Sequence, residues 1–299
     1  MFVLFQYLVT VLRVIFATCE GIYGFFKPSE RKNVAGETVL ITGAGQGMGR
    51  LYALHFAKLG AKVVLWDINK EGNEKTESEV KEMGGDAYAV TVDVRRKEQV
   101  YDAAKVVKSE VGKVDILINN AGVFSGESIC KLTDEQIVRT FEVNTLSHFW
   151  TIRAFLPDML EDDYGHIVTV SSLAGKFGTI PRLTDYCASK YAAVGLTECL
   201  DCELRSTGNT GVKTTLICPF FIDTGFIHGI TIKHGDDILK KEEVANLVVD
   251  AILREKRECM IPFNWNLKAV LKTLLPFQAQ NVLEKFFAIN VRSQSAFRH

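Results

Sequence analysis

The sequence predicts an α/β protein built on a doubly wound parallel sheet of about seven strands with helices on both faces. Two observations carry this reading. From residue 36 onward, short apolar runs alternate with longer helical patterns. The first of those runs opens into a glycine-rich turn, Thr42-Gly43-Ala44-Gly45-Gln46-Gly47-Met48-Gly49, which leads directly into a helical stretch.

The elements follow in order. Strands are expected over 38–42, 62–66, 87–92, 114–118, 166–171, 212–218 and 258–261. Helices are expected over 47–59, 69–83, 96–111, 133–160, 185–206 and 242–255, with Pro157 near the end of the fourth. Strand–helix–strand crossovers should be right-handed. No internal repeat or low-complexity stretch interrupts the series.

The chain has 299 residues, 47% of them hydrophobic and 24% charged, enough for a substantial core. A formal net charge of −1 gives no electrostatic case for a nucleic-acid partner. The seven cysteines show no paired metal spacing. One CxxC, Cys199-Leu200-Asp201-Cys202, falls on an expected helix without a second ligand pair, so no metal is expected and the thiols read as reduced and mostly buried.

Four segments result: an apolar N-terminal segment, 1–26; a basic linker, 27–35; the α/β catalytic domain, 36–262; and an amphipathic tail, 263–299. The first segment is close to the ~20 residues a membrane span needs. Arg13 would cost roughly 2.5–3.5 kcal/mol at a bilayer centre, so an in-plane or hairpin insertion competes with a true span. Lys27, Arg31 and Lys32 are expected on anionic headgroups, with the catalytic domain facing the cytosol. In the tail, Leu267, Val270, Leu271, Leu274 and Leu275 have helical spacing, which suits packing on the domain, membrane contact or the lining of a substrate entrance.

Chemistry concentrates in two places. The glycine turn lets a pyrophosphate approach the backbone, and the helix behind it offers free N–H groups and a positive dipole end. The second strand ends in Trp66-Asp67, where a carboxylate accepts hydrogen bonds from ribose hydroxyls and repels a 2′-phosphate. Gln46, where a basic residue would favour a phosphate, points the same way: to NAD. The alternative for Asp67 is a helix N-cap. The second place is Ser171-Ser172 at a strand end, followed by Tyr186-Cys187-Ala188-Ser189-Lys190. Tyr186 and Lys190 share one helix face. A lysine ammonium there would pull the tyrosine pKa down toward neutrality, and a serine hydroxyl would hold the substrate oxygen. His148 and His166 read as structural.

These motifs together resemble a short-chain dehydrogenase/reductase over roughly residues 36 to 262, a family with a Rossmann-type fold. Further carriers are Asp93 after the third strand, Asn119-Asn120-Ala121-Gly122 after the fourth, Asn144, and Thr224 in Cys218-Pro219-Phe220-Phe221-Ile222-Asp223-Thr224-Gly225. The resemblance implies catalysis by Asn144, Ser172, Tyr186 and Lys190, with Asn144 holding a relay water. It implies cofactor binding by Gly43, Gly45, Gln46, Gly47, Met48, Gly49, Asp67, Asp93, Asn120, Tyr186, Lys190 and Thr224; Asp93 and Asn119 contact adenine or brace the sheet. Two departures stand out. Phe220 replaces the usual glycine after Pro219, and the step from Ser172 to Tyr186 is one residue longer than common, leaving Ser171 and Ser172 as candidates, of which Ser172 is preferred.

Leu65-Trp66-Asp67-Ile68-Asn69, Phe149-Trp150, Gly165-His166-Ile167-Val168 and the apolar N-terminus resemble the membrane-associated branch, which contains microsomal retinol dehydrogenases and lipid-droplet 17β-hydroxysteroid dehydrogenases. That resemblance implies a homodimeric, NAD-dependent enzyme at the endoplasmic reticulum membrane or the lipid droplet. It would oxidise a lipophilic alcohol: retinol first, with a 17β-hydroxysteroid as the alternative. A reading of another class is a non-catalytic membrane or lipid-droplet scaffold that binds NAD or lipid.

Overall fold

The computed structural model describes residues 2–27, 29–227 and 229–293. Met1 of the apolar segment, His228 and residues 294–299 of the tail lie outside the described residues. A long helix, α1 (Phe2–Phe26), precedes the α/β domain. The domain then runs β1 (Thr38–Thr42), α2 (Gly47–Lys58), β2 (Lys62–Asp67), α3 (Lys70–Glu82), β3 (Asp86–Thr91), α4 (Lys97–Glu110) and β4 (Ile116–Asn119). It continues through α5 (Asp134–Phe141), α6 (Ser147–Glu161), β5 (Gly165–Val170), α7 (Thr184–Ser206) and β6 (Val212–Pro219). The last part is β7 (Ile230–Ile232), α8 (Lys241–Leu253), β8 (Glu258–Ile261), α9 (Trp265–Leu274), α10 (Phe277–Phe286) and β9 (Ile289–Val291).

Seven strands form one parallel sheet in the order β3-β2-β1-β4-β5-β6-β8. The central strands β1, β4 and β5 are buried along their whole length, as strands covered on both faces must be. Tyr52 and Phe56 of α2, Val80 of α3 and Val244 and Val248 of α8 pack on one face. On the other lie Val100 and Val107 of α4, Phe155 and Met159 of α6, and Leu200 and Leu204 of α7. The strand order reverses between β1 and β4, so their C-terminal ends splay apart and open a crevice there.

The expected long helix over 133–160 divides. Thr133 closes a capping box on α5. A π-helical turn, Glu142–Leu146, then adds a residue before α6. Pro157 stays inside α6. A two-stranded antiparallel ribbon of β7 and β9 was not foreseen, because neither three-residue strand is long enough to show a period.

The basic linker is engaged within the protein: Arg31, whose side chain stays 59% exposed, pairs with Asp250 at 2.7 Å, and Lys32 lies between Glu37 and Glu255 at 3.8 and 3.9 Å. The backbone N–H of Lys32 also donates to Leu253, so the linker is stitched to the end of α8. Lys27 is exposed. One expectation is corrected: the thiols are not mostly buried. Cys19, Cys130, Cys199 and Cys202 are exposed, because the last two sit on the outer side of α7, Cys130 on a surface turn and Cys19 on α1.

Candidate active site

The turn after β1 is shaped by what surrounds it. Gly43 adopts φ +69°, and a Cβ there would come within 3.0 Å of the Ala121 Cα. A Cβ at Gly49 would meet the Gly43 carbonyl oxygen at 2.0 Å, so only glycine lets α2 approach the strand this closely. Asn120 braces the turn from the next strand: its Nδ2 donates to the carbonyls of Thr42 and Gly43 at 2.9 and 3.3 Å, and its N–H donates to Thr42 Oγ1 at 3.0 Å. Gln46 precedes α2 without capping it through its side chain, so the first amides of that helix stay open.

Asp67 ends β2 beside this turn. Its Oδ2 accepts the Gly45 N–H at 2.8 Å and its Oδ1 accepts the Asn69 N–H at 2.8 Å. The N-cap of α3 is Asn69, which accepts from the Gly72 N–H, so Asp67 is not the cap. Asn73 ties the ends of two strands together, donating to Leu65 and Val90. Asp93 is gripped by the Arg95 fork at 2.6–3.1 Å, which holds its carboxyl below the usual carboxylate range. Asn119 takes the Thr151 hydroxyl on Oδ1 at 2.6 Å and is fully buried; it braces the sheet and does not line the cleft.

The second constellation lies across the crevice. Ser172 follows β5; its Oγ accepts the Ala174 N–H at 3.0 Å, lies 3.4 Å from the Pro219 carbonyl, and is close enough to the Tyr186 phenol to act on its proton. Ser171 points the other way, donating from a buried position to the Lys190 carbonyl at 3.0 Å. The longer spacing is thereby resolved in favour of Ser172 as the serine beside Tyr186. Lys190 is buried, with its Nζ on the Val170 carbonyl at 2.9 Å and 5.7 Å from the centre of the Tyr186 ring. Burial draws its pKa down to about 8.

The expected fall of the Tyr186 pKa is reversed here. Burial pushes the phenol up, and only the Ser172 hydrogen bond acts to lower it. The physical reason is the burial of the phenol itself, while the ammonium is held on the Val170 carbonyl, 5.7 Å from the ring centre. Asn144 lies in the π-helical turn with its side chain committed. Oδ1 accepts the Val123 N–H at 2.8 Å, and Nδ2 donates to the Val123 carbonyl and Ser189 Oγ at 2.8 and 2.9 Å. Its neighbour across the site is Gly122, where a Cβ would lie 3.6 Å from both Asn144 Oδ1 and Lys190 Nζ.

A cleft of about 820 Å³ joins the two constellations. It is lined by Gly43, Gln46, Gly47, Met48, Gly49, Asp67, Asp93, Asn120, Ser172, Tyr186, Lys190 and Thr224. Gly45 and Asn144 stand behind this wall. Thr224 faces the turn, 3.9 Å from where a Gly47 Cβ would be. Beyond Tyr186 the lining turns apolar: Ile180, Leu183, Phe220, Phe221, Phe226 and Ile227. Phe124 stacks edge-on to Tyr186 at 6.2 Å and against Phe226 at 4.8 Å.

The profile of the short chain dehydrogenase family matches residues 37–234. The chain belongs to this family. As a short-chain dehydrogenase it is an oxidoreductase that uses NAD or NADP on an alcohol or carbonyl. It is 47% identical over 281 residues to estradiol 17-beta-dehydrogenase 11 of Mus musculus, covering 94% of this chain and 93% of that one. It is 42% identical over 283 residues to human 17-beta-hydroxysteroid dehydrogenase 13, covering 95% and 94%. Among solved structures, a short-chain dehydrogenase/reductase from Burkholderia phymatum in complex with NAD superposes with a TM-score of 0.74 at 29% identity, covering 81% of this chain and 94% of that one. A metagenomic short-chain oxidoreductase in complex with NADP gives 0.66 at 27% identity, covering 77% and 98%.

Sequence reading missed Arg95, Phe124 and Trp265. The Phe220 departure now has a structural account: its buried ring packs on Phe221 at 5.0 Å and on Trp265 of α9 at 5.3 Å. A glycine there would remove one of the two phenylalanine rings, Phe177 and Phe220, that pack on Trp265. Phe124 follows the Asn119–Gly122 motif directly, but nothing in its neighbours' spacing marks it as an aromatic partner of Tyr186.

Proposed function

We propose that this short-chain dehydrogenase oxidises a lipophilic alcohol with NAD, and that a 17β-hydroxysteroid is its first substrate class. The observation that carries the reading is a single cleft with Asp67 at one end and an apolar wall beyond Tyr186 at the other. The residues fit a dinucleotide. Gly47 leaves the backbone bare where a diphosphate would approach, while Gly43 and Gly49 let the turn close tightly against its neighbours. The Asp67 carboxylate suits free ribose hydroxyls and opposes a 2′-phosphate. Thr224 and Lys190 would hold the nicotinamide half, and Asp93 with Asn120 the adenine side.

When bound, NAD supplies the hydride acceptor. The chain's own residues handle the rest. Ser172 holds the substrate oxygen, and Tyr186 accepts the hydroxyl proton as the C–H bond breaks. Lys190 supplies the positive charge that favours the tyrosinate, once its Nζ is drawn off the Val170 carbonyl. Asn144 fixes the floor by tying Val123 to Ser189 on α7. The intact Ser172, Tyr186 and Lys190 set argues against a non-catalytic scaffold.

The names of the two relatives support a hydroxysteroid over retinol, and the apolar lining of Ile180, Leu183, Phe220, Phe221, Phe226 and Ile227 suits a lipophilic substrate. The bare apolar face of α1 supports attachment to a bilayer or lipid droplet. Its stretch Val3–Gly21 is long and apolar enough to cross a membrane and none of it is buried. The test is a side-by-side panel of estradiol and retinol with NAD and NADP on the full-length chain. Steroid turnover with NAD supports the reading. Retinol turnover alone would move the substrate class, and NADPH dependence would overturn the cofactor assignment.

A further inference from the structure

The loop that carries Thr224 and Phe226 leaves β6 and closes where Ile222 and Leu239 bridge. Between those residues Ile227, Ile230 and Ile232 pack on the domain's apolar cluster, and the C-terminal segment supplies further support. β7 of the loop pairs with β9, and the ribbon is extended by Lys233 N–H on the Ala288 carbonyl and Arg292 N–H on the Gly229 carbonyl. Arg182, from the segment leading to Tyr186, reaches across to the Val291 carbonyl at 2.7 Å. His234 stacks on Phe286 of α10 at 4.7 Å. Asp236 takes three donors from the start of α9: Asn264 Nδ2 and Trp265 Nε1 at 2.8 Å, and Lys268 Nζ at 2.9 Å.

The same two helices are bare on their outer side. Leu274, Phe277 and Val282 are 74%, 72% and 67% exposed, and Leu267, Val270 and Phe286 join them. The basic residues of α9 are turned away from this face: Lys268 sits on Asp236 and the Trp265 ring, and Lys272 on the Tyr191 hydroxyl and the Lys176 carbonyl. An exposed apolar stripe of this size is unusual on a soluble surface and marks a contact. A lipid surface is the occupant that matches an apolar stripe whose exposed charges, Glu284 and Lys285, are confined to the end of α10, in a chain whose α1 presents a second uncovered apolar helix.

We infer that α9 and α10 form an interfacial clamp: their outer face seats on a lipid surface, and their inner side fixes the substrate loop, so that docking on lipid orders the wall around Tyr186. The inference rests on the lipid-surface reading above and adds the wiring from surface to loop. It makes the tail part of the substrate site and not an appendage to it. Seating would steady β9, β9 steadies β7, and Phe226 and Ile227 are held over the cleft.

Hydrogen exchange on the full-length protein, with and without phosphatidylcholine vesicles, tests this. Vesicles should slow amide exchange in 265–286 and in 230–239 together. A Leu274→Glu/Phe277→Glu/Val282→Glu variant should lose both effects while still floating with vesicles through α1. Its melting temperature and cofactor affinity should stay close to wild type, since these side chains are mostly exposed. Slowing in 265–286 with 230–239 unchanged would overturn the coupling. No slowing, or slowing that survives in the variant, would overturn the docking. A variant that falls from dimer to monomer without lipid would assign the face to a second copy and overturn it too. The readout does not depend on turnover, so an absence of steroid or retinol oxidation would count against the proposed function alone.

Discussion

The Asp67 carboxylate closes on the Gly45 amide, with Oδ2 2.8 Å from the Gly45 nitrogen, and so the residue we propose as the ribose contact also shapes the glycine turn. A Cβ at Gly45 would lie 3.0 Å from that same oxygen. Asp67→Asn should therefore weaken NAD by about tenfold, of the order expected for one hydrogen bond to a charged group, and should relax discrimination against NADP. Titration calorimetry with both cofactors checks this. An unchanged NAD-to-NADP ratio would place the ribose contact on another residue.

The two adjacent serines should separate cleanly. Ser172→Ala removes the hydroxyl beside Tyr186 and should lower kcat by about 10²-fold or more with little change in melting temperature. Ser171→Ala removes a buried bond to the Lys190 carbonyl. It should cost about 1 kcal/mol of stability and leave most of the turnover. Kinetics and thermal unfolding of both variants decide it; the reverse pattern would exchange the two assignments.

Burial of Lys190 sets a pH-dependent stability. Its folded pKa of about 8 lies below the ordinary 10.5, so the folded state binds the proton less tightly than the unfolded chain. The group is destabilising below pH 8, by about 3 kcal/mol at the upper bound. That cost fades as pH rises from 8 to 10.5. Lys190→Met should be more stable than wild type at pH 7, with the gap closing toward pH 10.5, in paired denaturant melts. A gap that widened with pH would contradict the sign. The same variant should lose activity.

Removal of residues 2–26 should leave the domain folded, because the Arg31–Asp250 and Lys32–Glu37 contacts begin after α1. Cofactor affinity should be unchanged. Attachment to vesicles should pass from carbonate-resistant to reversible, since the long apolar helix is gone and only the α9–α10 face remains. A truncated protein that resists carbonate extraction would shift the anchor to the tail.

Much of this was legible in the sequence because it is written in local patterns. The alternation of apolar runs and helices predicts the seven-stranded sheet, and the glycine turn, Asp67 and Tyr186 with Lys190 converge on one cleft. What escaped depends on contacts between distant segments. The pairing of β7 with β9 brings together residues about sixty apart, with too few residues in each strand to leave a period. The π-helical turn that sets Asn144 differs from an α-helix by one hydrogen-bond step, which composition does not encode. The basic cluster of the linker looked free because two of its three partners, Asp250 and Glu255, lie more than two hundred positions away. The upward push on Tyr186 arises from burial, which the spacing of Tyr186 and Lys190 cannot report.

The central claim is that Tyr186 moves the proton in an NAD-linked oxidation of a lipophilic alcohol. The most direct measurement is NADH formation from estradiol by wild type and by Tyr186→Phe in the same detergent, with NAD affinity measured on both. Wild type should turn over, and the variant should lose about 10²–10⁴-fold in kcat while holding NAD as tightly. Equal rates in the two proteins would contradict the account.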